Sequence, residues 1–236
     1  MTDRRAELAE NLTEVEERVA AACRAAGRAR EEVKLIAVTK TFPASDVALL
    51  AELGVTDVGE NRDQEAGPKA AEVPGLRWHM VGRLQRNKAR SVAGWAHEVQ
   101  SVDSARLADS LAKAVHTLRY SGKREEALDV LIQVSLDDDP GRGGCPLAEL
   151  DALAEHLEQA EDLRLRGLMA VAPLGADPAA AFERLARAGE ALRKDHPNAA
   201  EVSAGMSHDL EQAITHGSTC VRVGTALLGG RGLASP

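Results

Sequence analysis

The chain has 236 residues, of which 44% are hydrophobic but only 2% aromatic, so its core must be aliphatic. That length suits one barrel-sized unit, and that hydrophobic content excludes a disordered chain. A net charge of −8 excludes general attraction to nucleic acid or an anionic membrane, and no apolar run reaches the roughly 18 residues of a membrane helix.

The opening MTDRRAELAE is charged and shows no apolar signal-peptide region, so a cytoplasmic protein is expected. Within 3–26, Leu8, Leu12, Val15, Val19 and Ala22 recur every three or four residues, which predicts an amphipathic helix with Gly27 as its C-cap. From there, strand-like runs alternate with helical patterns. The expected strands are 34–39, 56–59, 77–81, 98–102, 128–135, 165–171, 200–203 and 219–223. The expected helices are 44–53, 62–72, 84–93, 104–119, 147–159, 178–194 and 207–216, with a short last one near Thr225. Such alternation favours a parallel sheet covered by helices, and its repeat length favours a closed sheet. The expectation is an α/β fold: a single TIM-like (β/α)8 barrel over about 33–230, preceded by the extra helix, in one domain over 1–236. The tail GGRGLASP reads as a frayed end. Cys23, Cys145 and Cys220 read as reduced thiols, and no His, Cys or Asp spacing suggests a metal. His208 and His216, eight apart, read as a surface pair on one helix.

Barrel enzymes build their sites at the C-terminal strand ends, so chemistry is sought there. Lys40 closes the first strand, LIAVTKTFP, and alternation puts it on the face of Ile36 and Val38, toward the barrel axis. Partial desolvation would lower its pKa and free the amine to attack a carbonyl, although a solvated lysine at a strand end has the same sequence. Ser203 and Ser207 flank Gly205 after the seventh strand, with Ser207 a good N-cap, and Gly224-Thr225 follow the eighth. Glycine-opened turns at these two positions suit a phosphate, although Gly and Ser punctuate ordinary loops as well. Arg222, between Val221 and Val223, faces inward if the valines face the helices. A carboxylate or a cofactor ring nitrogen would satisfy it equally. A lysine opposite a phosphate site suits pyridoxal 5′-phosphate (PLP), and it suits an aldolase acting on a sugar phosphate; spacing does not separate the two.

The motifs ENLTEVEERVAAACRAAGR, LIAVTKTFP, GENRDQE, WHMVGRLQRNK, SVDS, GLMAVAP and SAGMSHDLEQAITHGSTCVRVG, in this order, resemble the YggS/PROSC family of pyridoxal phosphate homeostasis proteins. The likeness runs from about residue 10 to 230. It implies the barrel of PLP fold type III, similar to the barrel domain of alanine racemase. It implies PLP held as a Schiff base on Lys40, with a phosphate loop at Ser203, Gly205, Met206 and Ser207 and a second at Gly224 and Thr225. Arg222 would face the pyridine nitrogen, which a guanidinium leaves unprotonated. Asn61, of the GEN motif, would lie near the ring. Met169 would line the pocket, and His79 would join it through the WH-x-x-G-x-L-Q-x-N-K signature, with Gly82 and Asn87. Three departures stand out. Residues 133–146 lack the lysine-bearing loop of many relatives, SAGMS replaces SMGMS, and Thr39 replaces a serine.

The likeness implies a monomeric PLP carrier in vitamin B6 homeostasis rather than a strong catalyst. A weak amino-acid racemase is the alternative, but Tyr120, the only tyrosine, falls at the wrong end of a barrel to be its second base. The basic stretch at Arg83, Arg86, Lys88 and Arg90 reads as a solvated helix face; the alternatives are an RNA- or protein-binding module, a lid, or a docking patch for PLP-dependent apoenzymes.

Overall fold

The computed structural model describes residues 3–137, 143–173 and 175–230. Eight parallel strands close into a barrel in sequence order. They are β1 (Lys34–Val38), β2 (Asp57–Glu60), β3 (Arg77–Met80), β4 (Glu98–Val102), β5 (Leu128–Gln133), β6 (Leu163–Met169), β7 (Glu201–Ser203) and β8 (Cys220–Val223). The helices are α1 (Arg4–Ala25), α2 (Ala44–Glu52), α3 (Asp63–Glu72), α4 (Ala89–Val92), α5 (Ala105–Tyr120), α6 (Leu150–Glu158), α7 (Pro178–Asp195), α8 (Leu210–Thr215) and α9 (Thr225–Leu228). The tail expected to fray lies, beyond Gly230, outside the described residues, as does part of the 133–146 segment.

Helix α1 starts at the Asp3 cap, whose carboxylate accepts from the Arg5 N–H. It ends before Gly27, as its pattern predicts. Its buried stripe of Leu8, Val15, Val19 and Ala22 packs into one cluster with Ala37, Val47, Val221, Val223 and Leu227. The helix therefore lies on the barrel's side, over the β8–β1 seam. The reason is local: α9, after β8, is only four residues long and cannot cover that seam. Each fully buried aliphatic of the stripe contributes about 1.5–3 kcal/mol.

Several boundaries differ from expectation, among them β6, which runs Leu163–Met169 and not 165–171. The helix expected over 84–93 is a 3-10 turn at Arg86–Lys88 followed by the single turn of α4. Its buried residues are Leu84 and then, five residues on, Ala89, Val92 and Ala93, so helical spacing holds only in the last turn. Helix α8 starts at Leu210 with Asp209 at its cap, so Ser207 stays in the loop. Strand β5 stops at Gln133, leaving Val134 in an isolated bridge to Cys145.

The strands sort residues by face. Ala37, Val99, Val130, Val202, Val221 and Val223 pack outward against helices. The lumen holds Ile36 and a set of polar side chains, all buried: His79, Glu98, Gln100, Ser203 and Arg222. Strands β4 and β7 are not neighbours, so the bond from Ser203 to Gln100 crosses the lumen.

Candidate functional site

Lys40 sits just beyond β1, in a turn held from both sides. Thr39 is buried, and its hydroxyl donates to Glu60 Oε1 at 2.6 Å. The Lys69 ammonium donates to the same carboxylate oxygen at 2.7 Å and to the Thr39 carbonyl at 2.9 Å. Burial pushes the Glu60 carboxyl up from its ordinary pKa, against the bonds from Lys69 and Thr39 that favour the anion. On the other side, Thr41 has φ 68°, in the left-handed region, and its N–H donates to Glu65 at 3.1 Å. A β-branched residue adopts that conformation only when its surroundings impose it. Lys40 between these anchors is half-buried, and its amine has no hydrogen-bond or ion-pair partner among the described residues. The strand ends two residues below Lys40, so the turn rather than strand alternation aims the side chain.

Lys40 borders a cavity of about 370 Å³ at the C-terminal rim, shared with Val38, Phe42, Asn61, Val81, Val171, Met206, Ser207, His208, Arg222, Gly224 and Thr225. That volume falls in the range of small-molecule sites. Val171 and Met206 are 36% and 39% exposed, unusual for large apolar side chains in this protein, and both line the cavity. The loop after β7 bends at Gly205, with φ 93°; a Cβ there would lie 2.7 Å from Ala213 Cβ and 3.1 Å from Leu210 Cα. Arg18 of α1 fastens this loop by donating to the Ser207 carbonyl at 3.0 Å and to Glu211 at 2.8 Å. The Ser207 hydroxyl accepts from the Ala226 N–H at 3.3 Å, which joins the turns after β7 and β8. Asn61 contributes an amide with no partner among the described residues.

Arg222 forms part of the cavity floor. It is 5% exposed and points inward, as its place between two valines predicts. Burial draws its pKa down. Two of its five N–H groups are engaged: Nη1 donates to Ser203 Oγ at 2.6 Å and Nη2 to the Ala170 carbonyl at 2.8 Å. Below it the contacts continue. Ser203 Oγ donates to Gln100 Oε1 at 2.7 Å, and Gln100 Nε2 donates to Glu98 Oε1 at 2.7 Å. The same Glu98 oxygen lies 2.9 Å from His79 Nδ1, and His79 Nε2 lies 2.7 Å from Asp57 Oδ1. Burial favours a neutral imidazole, but the bonds to Asp57 and Glu98 outweigh it and raise the His79 pKa. Glu98, despite burial, is held down at about 2 by His79, with help from Lys34 and Gln100.

Several residues expected at the coenzyme lie outside the cavity lining. His79 does not line the cavity: both ring nitrogens bond to carboxylates, and Val81, two residues on, occupies the lining. Met169 also lies one layer too low, buried at the end of β6, with Val171 above it. Ser203 is buried beneath Arg222 instead of standing on a loop, and Gly205 shapes the loop without lining the cavity. His208 precedes α8, so it does not share a helix with His216; it is exposed and borders the cavity. Its place in the SAGMSH segment was the available signal. Phe42, Val38 and Val81 left no signal beyond strand alternation.

The basic stretch borders a second, larger hollow of about 860 Å³, lined by Arg62, Arg83, Arg86, Lys88 and Arg106 with two carboxylates, Asp63 and Asp103. Asn61 borders both hollows. The wall between them is tight: a Cβ on Gly82 would lie 2.4 Å from the Asn61 carbonyl oxygen. Arg83, Arg86 and Arg106 have no carboxylate partner among the described residues. Tyr120 is 91% exposed at the end of α5, away from both hollows. The thiols of Cys145 and Cys220 are pushed up to about 11 by burial, which keeps them protonated.

Residues 10–232 match the family model for the alanine racemase N-terminal domain. A protein of Mycobacterium bovis named pyridoxal phosphate homeostasis protein is 48% identical over 249 residues, covering 99% of this chain and 96% of the relative. One of the same name from Escherichia coli K12 is 38% identical, covering 95% and 97%. The solved structure of PipY from Synechococcus elongatus, described with PLP bound, superposes with a TM-score of 0.80 at 34% identity, covering 94% of this chain and all of that one. Alanine racemase from Corynebacterium glutamicum, 16% identical with a TM-score of 0.68, shares the fold over 98% of this chain and 64% of its own. The chain belongs to the family of pyridoxal phosphate homeostasis proteins, built on the barrel of the alanine racemase N-terminal domain.

Proposed function

We propose that this protein binds PLP in the rim cavity, holds it covalently through Lys40, and serves PLP homeostasis as a carrier inside the cell. The observation that carries this reading is the unpartnered Lys40 amine facing one cavity with Arg222 and two joined rim turns. When bound, the coenzyme supplies an aldehyde that a lysine amine can bond to, and a ring that draws electrons. The residues present fit it. Met206 and Val171 offer apolar surface for a ring, and Asn61 offers a free amide. Ser207, Gly224 and Thr225, brought together by the Ser207–Ala226 bond, suit a phosphate. Arg222 donates and keeps its proton, so a ring nitrogen beside it would stay unprotonated. That arrangement disfavours carbanion chemistry and supports a carrier over a catalyst.

A racemase needs a second acid–base group across the ring from the lysine. Tyr120, the chain's one tyrosine, is too remote to serve, and the racemase alternative would require His208, the other acid–base side chain lining the cavity, to stand across the ring. A monomer as the working unit is part of this reading. Delivery to PLP-dependent apoenzymes belongs to the same proposal. Arg86 and Lys88, which line the neighbouring hollow, are the candidate contact for them. Charge reversal at both should slow transfer to an apoenzyme severalfold while PLP binding holds; unchanged transfer removes the patch from the reading.

Borohydride reduction of the PLP-treated protein, with peptide mass mapping, tests the core of the proposal. A pyridoxyl adduct on Lys40 is expected. An adduct on another lysine, or none, overturns it.

A further inference from the structure

The contacts beneath Arg222 form a buried ladder that has one direction only. An ionised Glu98 accepts and cannot donate, so the bond at 2.7 Å must come from the Gln100 amide nitrogen. That turns the Gln100 carbonyl oxygen toward Ser203, 2.7 Å away, and the Ser203 hydroxyl must donate to it. The lone pairs of Ser203 Oγ are then left to accept from Arg222 Nη1 at 2.6 Å. Reversing any one step would set donor against donor or acceptor against acceptor. All four side chains are buried, so water does not compete for these bonds. Arg222 itself has no carboxylate within ion-pair distance among the described residues. The first carboxylate along its ladder is Glu98, across the lumen.

We propose that Gln100, oriented by Glu98, is the positioning residue for Arg222: through Ser203 it fixes the guanidinium that faces the bound coenzyme. Neither Gln100 nor Glu98 touches the cavity, so both act only through the ladder. His79 completes the lower end. Clamped between Glu98 and Asp57, it stops the Glu98 carboxylate from turning. The inference rests on the PLP reading and says which distant groups tune that site.

The test uses three variants of the full chain. Gln100→Met removes the ladder and preserves volume. Ser203→Ala cuts it one bond higher and gives a second reading should the first variant fold poorly. Gln100→Glu keeps an acceptor for Ser203 and, as the protonated acid that a carboxylate 2.7 Å away imposes, a donor for Glu98. The readouts are the dissociation constant for PLP, the absorption spectrum of bound PLP, and the position of Arg222 in crystals of the cofactor-free variants. The expected result is about tenfold weaker binding and a shifted absorption maximum for Gln100→Met and Ser203→Ala, as for loss of one hydrogen bond to a charged group. Gln100→Glu should stay within about threefold of the parent, on the same energetics. A role in packing alone reverses this order, because methionine packs well and a second buried carboxylate does not. Affinity within twofold, an unchanged spectrum and an unmoved Arg222 in the first two variants would overturn the proposal. Failure of the parent to bind PLP would instead condemn the functional reading, and the crystallographic position of Arg222 still judges the ladder.

Discussion

The lower lumen of the barrel and the cavity at its rim treat charge in opposite ways. Below, Lys34 meets Glu201 at 3.2 Å, and His79 is clamped between Asp57 and Glu98. Each charged group there bonds to an opposite charge, with Glu98 Oε2 left without a partner among the described residues. At the rim, Lys40 stands half-buried without a partner among the described residues, and the charges that hold its turn, Glu60 and Lys69, pair with each other. A buried pair satisfied within the chain is structure, whereas an unsatisfied amine in a hollow is a group prepared for a ligand. Arg222 marks the border, bonded below and open above.

The comparison breaks most sharply at His79. His79→Leu leaves the buried Glu98 and the partly buried Asp57 without their shared donor and should lower the unfolding free energy by about 3–5 kcal/mol in urea titrations. A loss under 1 kcal/mol would mean that the clamp is not structural. The same clamp has a pH signature. Asp57 and Glu98 titrate below their ordinary values, so their stabilisation is present above the usual carboxylate range and lost as pH falls toward the value of about 2 held by Glu98. His79 titrates above its ordinary 6.5, so its stabilisation is full below that pH and lost as pH rises through its folded-state pKa. Stability of the parent should therefore peak between about pH 4.5 and 6.5 and fall on both sides. His79→Leu should lack the alkaline decline.

A smaller loss is expected at the turn. Lys69→Met removes the ammonium from Glu60 but leaves the Thr39 hydroxyl in place, and should cost about 2–3 kcal/mol by urea titration. It should also weaken PLP binding, since the turn carries Lys40. Unchanged affinity would separate the turn from the site. Smallest is Gly205→Ala, where the left-handed backbone and the close Ala213 Cβ together cost about 1–2 kcal/mol. Its effect should fall on retention of inorganic phosphate and PLP more than on melting temperature.

The barrel was legible because strand alternation and helical spacing are local signals, repeated eight times along the chain. Which face a residue takes was legible too: Arg222 points inward between its valines, as expected. Height along the strand was not. Alternation is blind to layer, so Met169 and Val171, or His79 and Val81, look equivalent in sequence. Barrel tilt and strand ends decide which of each pair reaches the cavity. The β7 loop was half legible. Gly205 announced a bend, but Ser207 caps no helix because α8 begins later, after Asp209. The ladder left no sequence signal, since Gln100 and Ser203 lie 103 residues apart and meet only when the barrel closes.

Titration of a Lys40→Ala variant with PLP, followed by visible absorbance, tests the central claim most directly. The expected result is loss of the yellow, borohydride-sensitive species and much weaker binding, with the fold intact by circular dichroism. A variant that still turned yellow, bound as tightly and still yielded a reduced lysine adduct would contradict the assignment of the site to Lys40.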